Sequence, residues 1–390
     1  MNVKIKDEIN KIKKFIIETR QDIHKHPELG FKEFRTAKLV SEKLNEWGYK
    51  VKNNVGKTGV VGTIGTSKGK RIGLRADMDA LPIQETSDLS YTSINKGIMH
   101  ACGHDGHTAM LLGAAKAIAE KKHLLNGSVK VIFQPAEEGY GGAQYMINDG
   151  AIDDVDEIYG VHLWNYQNYG TVGTKAGSIM AAADLFEIIV KGEGGHGGMP
   201  HGTTDAILVS SHLIQALQSI VSRNTNPLES TVVTVGQING GFNFNVIADE
   251  VILKGTTRSY TEKNRKMIKK RIKEIIKGIS STFSAKIKLK YKDGYPPTIN
   301  DKACTEKILE ASKKIVGSGA GMPYLSMGGE DFSYFLNKIP GCFFFIGSSP
   351  NNSDKIKTPH HCSHFNINED SLLIGSSVFL QLIEDLLISK

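Results

Sequence analysis

Met99-His100-Ala101-Cys102-Gly103-His104-Asp105-Gly106-His107 gathers one thiol and three imidazoles in a short stretch. Thiolate and imidazole are borderline-soft donors suited to Zn²⁺ and its neighbours. A structural zinc site would need a second Cys/His pair at short spacing, and none follows. The remaining ligands must therefore come from elsewhere in the chain. Gln134-Pro135-Ala136-Glu137-Glu138-Gly139 sets two carboxylates side by side. Adjacent negative charges repel unless a cation stands beside one of them. One of the pair can then bind a metal while the other moves a proton. Val161-His162-Leu163-Trp164 offers a third candidate ligand, and Thr358-Pro359-His360-His361-Cys362-Ser363-His364-Phe365 a fourth. Leu74 to Pro82 carries Asp77 and Asp79, which can orient histidine ligands by accepting their second N–H.

These clusters sit among alternating apolar runs and helical stretches. Gly59 to Ile64, Arg71 to Ala76, Val129 to Phe133, Ile158 to Val161 and Cys342 to Ile346 read as strands. Gly106 to Glu120 and Glu369 to Ile388 read as helices, and Ile5, Ile9, Ile12 and Ile16 repeat at helical spacing at the start. Alternation of this kind predicts an α/β layer fold. All five polar clusters then fall at edges compatible with one rim of one sheet, where such folds place their sites.

The middle has a different rhythm. Phe186, Ile188 and Val190 alternate along a strand, Asp205 to Val221 is helical, and Thr231 to Ile238 and Glu250 to Arg258 are strands. Thr261 to Ile279 is helical, and Ile287, Leu289 and Tyr291 alternate with lysines. The β-α-β-β-α-β order is ferredoxin-like, with a one-sided sheet covered by two helices. Gly177 before it and Tyr295-Pro296-Pro297 after it mark an inserted domain with two connections, able to act as a hinge.

Length, at 390 residues, favours two domains. A hydrophobic fraction of 40% and a charged fraction of 23% exclude wholesale disorder and fibrous classes. The net charge of +7 comes from lysines interleaved with acids along helix faces, so no nucleic acid is expected as a partner. Cys102, Cys304, Cys342 and Cys362 show no disulfide framework. With no signal-like or spanning apolar run, this predicts a cytoplasmic protein without membrane attachment.

Taken together, the chain resembles the M20 family of metallo-amidohydrolases, in the branch of N-acyl-amino-acid amidohydrolases that includes hippurate and auxin-conjugate hydrolases. The resemblance rests on His26-Pro27-Glu28-Leu29-Gly30, Arg75 to Pro82, Met99 to His107, Gln134 to Gly139, Gly160 to Trp164, Gly194 to His201, Asn245-Val246-Ile247, Met327 to Phe332 and His361, in that order and almost end to end.

The resemblance implies a metallo-exopeptidase-like catalytic domain over 1–178 and 296–390, with a mixed sheet flanked by helices. It implies a lid and dimerisation domain over 179–295. Cys102, His104, Glu138, His162 and His361 would hold the divalent metal, two ions per subunit, Zn or Mn with Co or Ni as alternatives. Glu137 would be the general base, supported by Asp79. His196 would stabilise the oxyanion, in its own or a neighbouring subunit, and Asn245 and Arg258 would hold the substrate carboxylate. Where the family commonly has a His-x-Asp pair, this chain has Asp77-Met78-Asp79, and the cysteine segment is the branch's substitute. The expected partners are a small N-acyl-amino acid and a second copy of the chain, as a homodimer or a dimer-based tetramer. The competing enzyme class is an M20 metallopeptidase acting on dipeptides or C-terminal residues. A metal-dependent binding protein without turnover is disfavoured by the intact Glu137.

Overall fold

The computed structural model describes residues 2–350 and 358–388, which fall into two units. The larger comprises Met1–Ile179, Ile299–Leu325 and Asp331–Lys390, and the smaller comprises Met180–Thr298 and Ser326–Glu330. The last short piece lies within the 296–390 range that the family resemblance assigns to the catalytic domain.

The larger unit is built on an eight-stranded mixed sheet flanked by helices. Its order is Lys50–Val55, Gly59–Gly65, Gly127–Gln134, Lys70–Asp77, Glu157–Asn168, Gly341–Ser349, Val172–Gly173 and Ala320–Gly321. The four strands at its centre, from Gly127–Gln134 to Gly341–Ser349, run parallel to one another. Parallel strands are covered on both faces, so they read as continuous apolar runs. Every residue of Gly341–Ser349 is buried, as are seven of the eight in Gly127–Gln134. Ile72, Leu74, Val129, Val131, Val161 and Phe344 form one core with Leu111 of the helix His104–Glu120 and Phe379 of the helix Asp370–Leu387. The parallel strands deliver their carboxyl ends to one rim.

Two local expectations change. The opening isoleucine repeat spans two helices, Val3–Lys11 and Lys13–Lys25, parted at Ile12, whose backbone (φ −107°, ψ 12°) leaves the helical region. Side-chain periodicity continues through the break, so spacing alone does not reveal it. His162 stands inside a strand that runs on to Asn168 rather than after one ending at Val161. The extension carries polar residues, which hide it from an apolar-run criterion.

The smaller unit is a four-stranded antiparallel sheet ordered Thr231–Gly240, Glu250–Ser259, Ala182–Lys191 and Lys286–Tyr295. Numbered along the chain, the order is second, third, first, fourth, as in ferredoxin-like folds. Phe186, Ile188, Val190 and Leu253 pack against Leu213 and Leu217 of the helix Ala206–Ser219 and Ile268 and Ile272 of the helix Glu262–Phe283. Both helices start at side-chain caps, Asp205 accepting from Ile207 and Leu208 and Thr261 from Asn264.

Candidate metal centre and catalytic base

The strand Lys70–Asp77 ends in two buried carboxylates with different tasks. Asp77 accepts from Arg75 Nη1 at 2.7 Å and from His107 Nδ1 at 2.6 Å. Asp79 accepts the main-chain amide of Glu137 at 2.9 Å on one oxygen and that of Glu138 at 3.0 Å on the other. It also lies 3.3 Å from His104 Nδ1. One carboxylate thus fixes the chain direction of the acidic pair and faces a histidine.

His104 opens the helix His104–Glu120, after Gly103, whose φ of +91° is a left-handed conformation that glycine adopts freely. Cys102 lies just before that turn. Its Sγ is 3.5 Å from His162 Nε2. His162 Nδ1 is 2.6 Å from the carbonyl of Leu163. A carbonyl only accepts, so the proton sits on Nδ1 and the Nε2 lone pair faces the sulfur. Burial, reinforced by His107 and His360, holds His162 well below the usual histidine range, in the neutral form a metal requires. A sulfur, a His104 nitrogen and a His162 nitrogen lie within 4.8 Å of one another. Cys102, Glu138 and His361 form a second such group, with His361 Nε2 3.2 Å from Glu138 Oε1. Cys102 belongs to both.

His360, beside the predicted His361, has another task. It accepts the Asn165 amide on Nε2 at 3.2 Å, which leaves an N–H on Nδ1, 3.8 Å from Cys102 Sγ. It is therefore arranged to donate to the sulfur rather than to bind a metal. His107 likewise accepts the Leu163 amide on Nε2 and donates to Asp77 from Nδ1. Neither role is legible from residue type.

Glu137 follows the strand Gly127–Gln134 and is 6% exposed. Its Oε1 accepts the main-chain amide of Asp331 at 3.3 Å. The Asp331 side chain accepts from Arg75 Nη2 at 3.0 Å, from Gln134 Nε2 at 2.8 and 2.9 Å, and from the Ala143 amide at 3.0 Å. Arg75 also donates to Gln134 at 2.8 Å. This buried frame ties Glu137 to the strand that bears Asp77. Arg75 and Asp331 lie in motifs quoted above, yet their pairing spans most of the chain and has no local signature.

His196, Asn245 and Arg258 belong to the smaller unit. His196 pairs with Val246 in a short antiparallel ladder, and its exposed ring accepts the Gly198 amide on Nδ1 at 3.0 Å. The proton is thereby placed on Nε2, leaving an outward donor. Asn245 is exposed and accepts the Gly197 amide on its carbonyl. Arg258 is half-buried in the strand Glu250–Ser259, and among the described residues its guanidinium has no hydrogen-bond or ion-pair partner.

The residues of the larger unit fit a metal. Both ring nitrogens of His104 and Oε1 of Glu138 are buried and make no well-aligned hydrogen bond, with Asp79 at 3.3 Å and His361 at 3.2 Å as close charged neighbours, an arrangement that leaves their lone pairs available to a cation. Burial opposes charge on His104, yet Asp77, Asp79 and Glu138 raise it to about 10. That surplus negative field would equally hold a cation. Burial, then Glu138, Glu137 and Asp77, push the Cys102 thiol well up, so metal binding must displace its proton.

The model of peptidase family M20/M25/M40 matches residues 73–385. The chain belongs to that family. It is 43% identical to an N-acetyl-L-cysteine deacetylase of Bacillus subtilis, over 95% of this chain and 88% of that one. It is 41% identical to thermostable carboxypeptidase 2 of Saccharolobus solfataricus, over 96% and 95%. It is 40% identical to the IAA-amino acid hydrolase ILR1-like 2 of Arabidopsis thaliana, over 93% and 83%. Among solved structures, a Bacillus subtilis M20 protein described as a dinuclear metal-binding peptidase superposes with a TM-score of 0.84 at 32% identity, covering 96% of this chain and 98% of that one. This M20 chain is thus an amide hydrolase with a metal-binding site. Among its described residues no helix is long and apolar enough to cross a membrane.

Proposed function

We propose that the chain hydrolyses N-acyl amino acids, with acetyl, benzoyl or similar aryl acyl groups, to a carboxylic acid and a free amino acid. The observation that carries this is the acidic pair itself. Asp79 holds Glu137 and Glu138 as neighbours while Glu138 faces the Cys/His donors and Glu137 is anchored to Asp331. The relatives' names support the substrate class: a deacetylase and an IAA-amino acid hydrolase cleave an acyl group from an amino acid.

In this reading Cys102, His104, Glu138, His162 and His361 would hold two divalent ions, Zn or Mn with Co or Ni as alternatives. When bound, such ions make a water more acidic and polarise an amide oxygen. Glu137 takes the proton of the attacking water and returns it to the leaving nitrogen as the C–N bond breaks. Nε2 of His196 donates to the amide oxygen as negative charge develops there. Asn245 and the unpaired, planar guanidinium of Arg258 hold the free carboxylate of the amino acid.

The smaller unit also supports a homodimer, or a tetramer built from such dimers. One edge strand of its sheet carries Lys286, Lys288, Lys290 and Lys292, which deter pairing. The opposite edge, Thr231–Gly240, carries no charged residue and is open to a second copy. Free thiols at Cys102, Cys304, Cys342 and Cys362 support the cytoplasm as the compartment.

The carboxypeptidase relative favours a second reading, cleavage of dipeptides or C-terminal residues. A product-release assay separates the two, using enzyme stripped of metal and reloaded with each ion in turn. Acetyl-, benzoyl- and indoleacetyl-amino acids should turn over faster than dipeptides. Faster cleavage of dipeptides than of every N-acyl amino acid would replace the first reading with the second.

A further inference from the structure

The segment His26 to Glu33 takes no part in the chemistry described so far. It contains the fully buried Glu33. Glu33 Oε1 accepts the amide of Phe31 at 3.0 Å and the amide of Ala136 at 2.9 Å. Oε2 accepts the Thr58 hydroxyl at 2.5 Å. Ala136 immediately precedes Glu137 and has a φ of +55°, a left-handed conformation that a residue with a Cβ rarely adopts. The next two amides, of Glu137 and Glu138, go to Asp79. Three successive main-chain N–H groups are therefore captured by two buried carboxylates, and the first of them belongs to a strained residue.

Strain of this kind persists only where the surroundings over-determine it. The strand leading into the loop ends at Gln134, so the local ladder does not hold Ala136. Gly30 passes close to the same residue, since a Cβ added at position 30 would stand 3.1 Å from Ala136 Cβ. We infer that Glu33 is a positioning residue for the general base, clamping Ala136 in its left-handed conformation so that Glu137 and Glu138 present their amides to Asp79. This rests on the reading of Glu137 as the base. Without the clamp, Ala136 relaxes to negative φ, the following peptide rotates, and Glu137 loses its alignment. Both main-chain amides fall on Oε1, and the Thr58 hydroxyl can turn to accept an N–H, so a carboxamide could keep the clamp; an apolar side chain such as leucine, with no acceptor, removes it.

The test uses the full-length, metal-loaded enzyme with saturating metal and an N-acetyl amino acid as substrate. Glu33→Leu should lower kcat by roughly 10- to 100-fold with KM within about twofold of wild type, since a base out of line costs rate rather than binding. Glycine adopts a φ of +55° without strain, so Glu33→Leu combined with Ala136→Gly should recover most of the lost kcat. A purely structural role for Glu33 predicts no such rescue. Should Glu33→Leu fail to fold, Thr58→Val removes one donor from the clamp. It should give a several-fold loss of kcat that Ala136→Gly again reverses. Wild-type kcat in the folded Glu33 and Thr58 variants overturns the inference, and so does a loss that Ala136→Gly leaves unchanged. Glu137→Gln is run alongside. If it collapses kcat while Glu33→Leu does not, only the clamp is wrong. If it turns over normally, the reading of the base fails and takes the clamp with it.

Discussion

Asp79 holds the main-chain amide of Glu137 at 2.9 Å, so the position of the proposed base is set by its backbone as well as by its side chain. The other Asp79 oxygen takes the Glu138 amide, and both residues of the acidic pair answer to one carboxylate. Asp79→Asn leaves one oxygen and puts an N–H group against the other amide. The expected result is a fall of about 10- to 100-fold in metal affinity, with a fall in kcat that saturating metal does not restore. Metal titration alongside kcat at saturation checks this. Unchanged values for both would leave Asp79 no role in the site.

Glu137→Gln should lose roughly 100- to 10,000-fold in kcat while keeping its metal. His196→Ala should lose roughly 100- to 1,000-fold, also with metal retained. Mixing the two inactive proteins tests where His196 acts. If it serves the neighbouring subunit, one site of each mixed dimer carries both defects, the other carries neither, and activity returns. No recovery after proven subunit exchange confines His196 to its own chain's site.

Cys102 is buried among carboxylates that raise its thiol. Metal-free enzyme should therefore be alkylated at Cys102 at a rate that climbs through the alkaline range, because the thiolate is the reactive form. Bound metal should block that labelling, and Cys102→Ala should lower metal stoichiometry. Mass spectrometry of the labelled peptide gives the answer, and equal labelling with and without metal would mark Cys102 as a packing residue.

Beside the proposed ligand His104, Arg20 and Asp105 form an ion pair with both side chains fully buried, at 2.8 Å. His24 Nδ1 also reaches Asp105 at 2.8 Å, and Tyr91 and Glu369 both accept from Arg20 Nη1. Asp105→Asn leaves the buried guanidinium with Glu369 as its one carboxylate partner among the described residues and should destabilise the fold by up to about 3–5 kcal/mol. Burial resists charge on Asp105, but Arg20 and His24 hold it well below the usual carboxylate range. The unfolded chain thus takes up this proton at higher pH than the folded one. The stabilisation is complete above the ordinary carboxylate range and is lost as pH falls through and below it. Urea unfolding at pH 7 and at about pH 3, below the ordinary aspartate value, should show a smaller pH difference in Asp105→Asn than in wild type.

Much of the site is legible because ligand chemistry clusters locally. Cys102 with His104, and Glu137 with Glu138, advertise themselves by type and adjacency. The scaffold around them does not. Glu33 reaches Ala136, Arg75 reaches Asp331, and His360 turns toward Cys102 across long stretches of chain. Such pairings have no period and no motif, because burial in three dimensions selects them. The break at Ile12 escapes for the opposite reason: an apolar face continues across it, so side-chain spacing is blind to a change in backbone angles.

The strand Gly341–Ser349 lies between Glu157–Asn168 and Val172–Gly173 in the large sheet. On a ribosome, the sheet therefore stays split until Gly341–Ser349, the last of its strands in chain order, has emerged. His361 emerges later still, so no nascent chain can complete the proposed donor set before this strand is in place to join the sheet. The smaller unit draws nearly all its residues from one continuous stretch, Met180–Thr298. It can reach its native pairing while its host is still waiting for a central strand. The half-made host exposes strand edges during that interval, and a slow codon or a stall between Thr298 and Ser349 would prolong its exposure to aggregation rather than to premature metal capture.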